Sequence, residues 1–109
     1  MSKKLTITYD GIDYVLEYTR NSVREMEERG FRAGDLKNKP MSGWLELFGG
    51  AFICHHKRVN RNLIEEIFYH TSNRDALMDE LADMYIATVD TLFDEPAENE
   101  KNAVWKTGD

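Results

Sequence analysis

The dipeptide Asp10-Gly11, set between two runs of alternating apolar and polar residues, restricts the fold more than any other feature of the chain. A two-residue type I′ turn needs positive φ at both central positions, and Asp-Gly tolerates this better than most pairs, so the flanking runs should pair as a hairpin. Before the turn, Leu5, Ile7 and Tyr9 alternate with Thr6 and Thr8. After it, Ile12, Tyr14, Leu16 and Tyr18 alternate with Asp13, Val15 and Glu17. A period of two in β-branched and aromatic residues is the strand signature. The sequence thus predicts a hairpin over 5–18, with the Ile12 set packed and the Asp13 set in water.

Helical signals follow. Thr19 is an N-cap whose hydroxyl can accept from first-turn amides, and Tyr18 and Val23 stand at the positions of a hydrophobic staple. This first helix, 20–29, should end at Gly30, with Phe31 folding back on Met26 as in a Schellman motif. Residues 32–39 show no sustained period and read as a surface loop. Pro40 suits the first position of a second helix, 40–57. There the apolar positions 41, 45, 48, 52 and 44, 47, 51, 54 form adjoining stripes, and Glu46 is the lone charge before Lys57. A helix apolar on nearly all sides belongs at the centre. Trp44 and Phe48 are therefore expected in the core. Gly49-Gly50 costs that helix roughly 1 kcal/mol per glycine relative to alanine. Close approach by the hairpin or by the last helix is the expected compensation.

Asn60 caps a third helix, 61–71, with Val59 and Ile64 at staple positions and Ile64, Ile67, Phe68 and Thr71 facing inward. Ser72-Asn73-Arg74-Asp75 has capping-box spacing and opens a fourth, 73–93. In it Leu77, Leu81, Met84, Thr88 and Leu92 keep helical period beside Met78, Tyr85 and Val89, while Asp79, Glu80, Asp83 and Asp90 take the other faces. From Asp94 the chain is polar and contains Pro96, so 94–109 reads as a flexible acidic tail. The expected fold class is α+β: one domain over 1–93, an N-terminal hairpin followed by about four helices packed as a small bundle.

A chain of 109 residues can bury one hydrophobic core without staples or metals. The single cysteine, Cys54, has no internal disulfide partner, which points to a reducing cytoplasm. Neither a leader peptide nor an apolar segment long enough to span a bilayer is visible. The net charge of −6 is unevenly spread. Residues 1–61 hold 11 Lys/Arg against 8 Asp/Glu, and residues 62–109 hold 3 against 12. An acidic C-terminal half argues against nucleic acid and suits a basic protein surface.

The chain lacks G-x-x-x-x-G-K-[ST], G-x-G-x-x-G, H-E-x-x-H and G-x-S-x-G, the better-specified patterns for nucleotides, zinc and acyl transfer. Cys54-His55-His56 is the most tempting cluster, yet on a helix adjacent residues point about 100° apart. It therefore reads as a core thiol and a polar helix end, and Asp79 and Asp83 as a solvated stripe. Lys57, Arg58 and Arg61 read as a solubilising surface. The expectation is no catalysis, no cofactor and no metal site. Trp105, with Val104, stands apart: an indole in a polar tail needs a groove on its own domain or on a partner. Val104, Trp105, Asp79, Asp83 and Asp90 are the candidate partner-binding residues.

The arrangement of Thr19-Arg20 with Val23 and Met26-Glu27, Gly30-Phe31, Lys39-Pro40-Met41, Leu47-Phe48-Gly49-Gly50-Ala51-Phe52, His55-His56-Lys57, Asp94-Glu95-Pro96 and the late Trp105 spans nearly the whole chain. It resembles a family of small phage and prophage proteins of Gram-positive hosts that is placed among siphophage tail components and tail assembly chaperones. Such chaperones coat the long helical tape-measure protein before the tail tube polymerises around it, contact the tube subunit, and are absent from the finished virion. They are often made in two lengths by a frameshift. The resemblance implies tape-measure and tail-tube partners in the host cytoplasm, with a homo-oligomer left open and no nucleic acid or membrane. Two other readings stand beside it: an acidic inhibitor that mimics DNA toward a host protein, and a structural tail component retained in the virion.

Overall fold

The Asp10-Gly11 turn has the geometry it requires. In the computed structural model, which describes residues 3–97 and 101–108, φ is 52° at Asp10 and 77° at Gly11. Strand β1 (Lys4–Tyr9) pairs antiparallel with β2 (Ile12–Glu17) in a register running from Tyr9↔Ile12 to Lys4↔Glu17. Tyr14 and Leu16 are buried, and so is Tyr18 just beyond the strand. Its hydroxyl donates to Leu47 O at 2.6 Å, which satisfies both groups inside the core. The alternation fails at both ends of β2: Ile12 is 54% exposed, whereas Glu17, expected in water, is 7% exposed. At Glu17 the cause is the chain after the central helix. Glu17 N–H donates to Ala51 O at 3.0 Å and Val15 N–H to His56 Nε2 at 2.8 Å, so this segment covers the outer edge of β2.

Helix α1 (Arg20–Glu28) opens with a full capping box: Ser22 N–H donates to Thr19 Oγ1 at 3.1 Å and Thr19 N–H to Ser22 Oγ at 2.9 Å. It closes on a Schellman motif. Gly30 takes φ 102°, Phe31 N–H reaches Met26 O and Gly30 N–H reaches Glu27 O, each at 3.0 Å. Phe31 is buried beside Met26. The stretch expected to be a loop holds a single helical turn, α2 (Asp35–Asn38), steadied by Arg32 N–H on Asp35 Oδ2 at 3.1 Å. Four residues are too few to show a periodicity.

Helix α3 (Pro40–Gly50) starts at Pro40 as expected but stops seven residues short of the expected end at 57. The bonds Ala51 N–H to Phe48 O, Phe52 N–H to Gly49 O and Ile53 N–H to Gly50 O tighten the chain into turns over 51–55. Two glycines weaken the helix where the chain must leave it to reach the edge of β2. The close neighbour at Gly50 is neither the hairpin nor the last helix. It is α1, since a methyl group at Gly50 would overlap Met26 Sδ.

Helix α4 (Arg61–His70) is capped by Asn60 Oδ1, which accepts from Leu63 N–H at 2.8 Å. Helix α5 (Arg74–Asp90) runs into a 3-10 turn, Thr91–Phe93. The capping box expected at 72–75 does not form. A capping side chain reaches first-turn amides from extended backbone, and Asn73 is left-handed at φ 55°. The fold is α+β, with Phe48 at the centre stacked edge-on against Phe52 and Phe68 at centroid distances of 5.1 and 5.4 Å. Leu16, Tyr18, Leu47, Phe52, Ile67 and Leu81 seal the core around it. Trp44, expected inside, is half-buried against its margin. Among the described residues, no helix is long and apolar enough to cross a membrane.

Candidate functional site

The inner face of α5 is set by Met78, Leu81, Met84 and Tyr85, all buried. The opposite face is therefore fixed in water. Asp79, Asp83, Ile86 and Asp90 recur on it at steps of four, three and four residues, and Phe93 continues the line from the 3-10 turn. All five are exposed, Ile86 and Phe93 being 56% and 89% accessible. Val89 and Leu92, expected to face inward with Leu81 and Met84, are also exposed. The helix runs past the core here, so helical period no longer implies burial.

This end of α5 is nonetheless held. Arg20 Nε donates to Thr91 Oγ1 at 2.9 Å and its Nη2 to Thr91 O. Thr88 Oγ1 lies 3.3 Å from Tyr18 O and 2.9 Å from Met84 O. The apolar row Ile86, Val89, Leu92 and Phe93 thus projects from a braced helix end beside Asp83, Asp90 and Asp94. Apolar groups left accessible in a connected row and bordered by charge are the mark of an interaction surface.

Val104 and Trp105 are 93% and 84% exposed, in a stretch over 101–108 without regular structure. No groove formed by the described residues covers the indole. Residues 98–100 and 109 of the expected tail lie outside the described residues.

A second constellation lies where the chain leaves α3. Because 51–55 is turned rather than helical, Cys54 and His55 are free of the 100° divergence that a helix imposes. Glu17 from the end of β2 meets them: His55 Nε2 lies 2.6 Å from Glu17 Oε1 and Cys54 Sγ 3.9 Å from it. Partial desolvation, with the Glu17 carboxylate beside it, pushes the Cys54 thiol above its ordinary range. Cys54 is exposed rather than the core thiol expected. His56 is turned the other way, accepting from Val15 N–H and packing edge-on against Tyr14. The one available sequence signal was Glu17 at the end of its strand; nothing local joined it to residues 37 and 38 positions away.

Three of the basic residues are engaged by local partners. Lys57 Nζ sits 3.1 Å from Glu25 Oε1, Arg20 is engaged on Thr91, and Arg32 donates to Glu27 O and Phe31 O. Lys57 and Arg29 beside it hold the Glu25 carboxyl below the usual carboxylate range. A cleft of about 220 Å³ opens between α1, α3 and α4, floored by Met26, Gly50 and Ile64 and edged by Arg29, Glu46 and Glu65.

Residues 1–108 match the family model described as Domain of unknown function (DUF5055). No curated protein and no solved structure matches the chain.

Proposed function

Because the chain belongs to the DUF5055 family, whose description carries no activity, we propose its function from the surface it presents: it binds a basic amphipathic helix of another protein along the outer face of α5. The observation that carries this is the stripe Asp79, Asp83, Ile86, Asp90 and Phe93. Steps of four and three residues average the 3.5-residue period at which one helix packs along another. The apolar members supply burial, and the aspartates select a partner with lysines or arginines at its flanks. Trp105, on a tail anchored at the same end of α5, adds a tethered second contact whose effective concentration is set by a short linker.

The biological setting follows from the resemblance to siphophage tail assembly chaperones. In that setting the partner helix belongs to the tape-measure protein, with the tail-tube protein as a second partner, in the cytoplasm of a bacterial host. The protein holds the helical client soluble until the tube forms and performs no chemistry on it. An acidic DNA mimic fits less well, since four exposed apolar side chains, Ile86 and Val89 on α5 and Leu92 and Phe93 in the 3-10 turn after it, interrupt the acids. A structural tail component would remain in purified particles.

Co-expression with the tape-measure protein of the same genome tests the reading. The expected result is a soluble complex, lost when Ile86 and Phe93 are both changed to serine. Absence of a complex with the unaltered protein overturns it. Capture of a DNA-handling protein, released by salt alone, would favour the mimic instead.

A further inference from the structure

We propose that Glu17, Cys54 and His55 form a three-donor site for zinc. Among the described residues, one ligand atom from each lies within 4.8 Å of the other two. Tetrahedral zinc, with bonds of about 2.0–2.3 Å, sets its ligand atoms about 3.4–3.6 Å apart. Cys54 Sγ and Glu17 Oε1, at 3.9 Å, already stand near that spacing. His55 Nε2 and Glu17 Oε1, at 2.6 Å, need to part by less than about 1 Å, with the ion replacing the hydrogen bond between them.

Three features separate this group from an ordinary surface cluster. Glu17 is buried, so its carboxylate is held in one place rather than solvated. Both parts of the site are pinned: Glu17 N–H to Ala51 O and Val15 N–H to His56 Nε2 lock the turned segment 51–56 onto β2, bringing the donors together before any ion arrives. The donor set of one sulfur, one imidazole nitrogen and one carboxylate oxygen selects zinc over magnesium or calcium, which prefer oxygen alone. Cys54 and His55 are exposed, leaving a path for the ion and a fourth position for water. On binding, the Cys54 thiol releases its proton to solvent as the sulfur–metal bond forms. The site joins the hairpin to the exit of α3 and is independent of the α5 surface.

The test uses the full-length, metal-free protein under a thiol-preserving phosphine reductant, titrated with cobalt(II) and then zinc(II). Cobalt should bind one to one with a thiolate-to-cobalt charge-transfer band and the intense visible bands of a four-coordinate ion, and zinc should abolish both. Cys54→Ser should remove the charge-transfer band, and His55→Asn the four-coordinate bands. Loss of even an outer partner costs metal sites about 10–100-fold, so each variant should weaken zinc by at least about tenfold. His70→Asn, on α4, should change neither. Circular dichroism confirms that the variants fold, which the exposure of Cys54 and His55 favours. A folded wild-type protein whose cobalt spectrum stays six-coordinate and lacks the sulfur band overturns the proposal. So does equal zinc affinity in wild type and Cys54→Ser.

Discussion

Tyr9 ends β1 and donates its hydroxyl to Glu66 Oε2 of α4 across 2.6 Å. That hydrogen bond, helped by partial desolvation and by the Glu66 charge, pushes the phenol up to about 12 from an ordinary value of 10.0. A raised folded value means the unfolded chain loses this proton first as pH rises. The contribution to stability is therefore complete below pH 10 and is lost as pH climbs toward 12. Phenolate absorbance, assigned by difference from Tyr9→Phe, should show the high midpoint, and Glu66→Ala should bring it back toward 10. His56 offers a second test. Its Nε2 accepts the Val15 N–H at 2.8 Å, and the ring also fills space against Tyr14 and Phe52. Replacing it with alanine orphans a partly buried amide, at about 1–3 kcal/mol. Urea unfolding should register the loss, and amide exchange at Val15 should accelerate.

Helix α3 shows how one substitution changes sign along a single element. At Gly49 a methyl group would meet only Ile64 Cγ2, at an ordinary 3.7 Å, so Gly49→Ala should stabilise by up to about 1 kcal/mol through helix propensity. At Gly43 the same methyl would stand 2.5 Å from the backbone oxygen of Asp35. Backbone cannot rotate away as a side chain can. Gly43→Ala should destabilise by about 1–3 kcal/mol as α2 is pushed off α3, and thermal melts of the two variants should shift in opposite directions. The early end of α3 belongs to the same scale. Glycine pairs read as a cost inside a long helix, but here they stand where the helix gives way to turns that reach β2.

Over the whole molecule, buried and exposed apolar side chains separate cleanly along α5 and the 3-10 turn that follows it. Met78, Leu81, Met84 and Tyr85 tie the helix to the core, while Ile86 and Phe93 touch water. Ile86→Ser with Phe93→Ser should leave the unfolding free energy measured in urea within about 0.5 kcal/mol of wild type, as surface changes do. It should nevertheless abolish complex formation with the helical client. A large loss of stability instead would show that these side chains support the fold. The candidate surface was half legible in advance. Helical period alone puts Asp79, Asp83 and Asp90 on the outer faces, but it also puts Val89 and Leu92 with the inward residues and gives no sign of Ile86 or Phe93. Periodicity marks which residues share a face; it cannot show where a helix outruns the core it packs on.

Several features that depend on one turn of chain are legible in the amino acids: positive φ at Asp10-Gly11, the caps at Thr19 and Asn60, the Schellman closure at Gly30, and the start at Pro40, though not the left-handed entry to α5 at Asn73. These signals act between residues at most five apart, where backbone geometry and a single side chain suffice. The tertiary structure alone decided the stop of α3 at Gly50, the covering of the β2 edge, the exposure of the last turn of α5, and the meeting of Glu17 with Cys54 and His55. Each requires groups far apart in the chain to be brought together, or left apart, by the packing of α3 against everything around it, and no local preference encodes that distance.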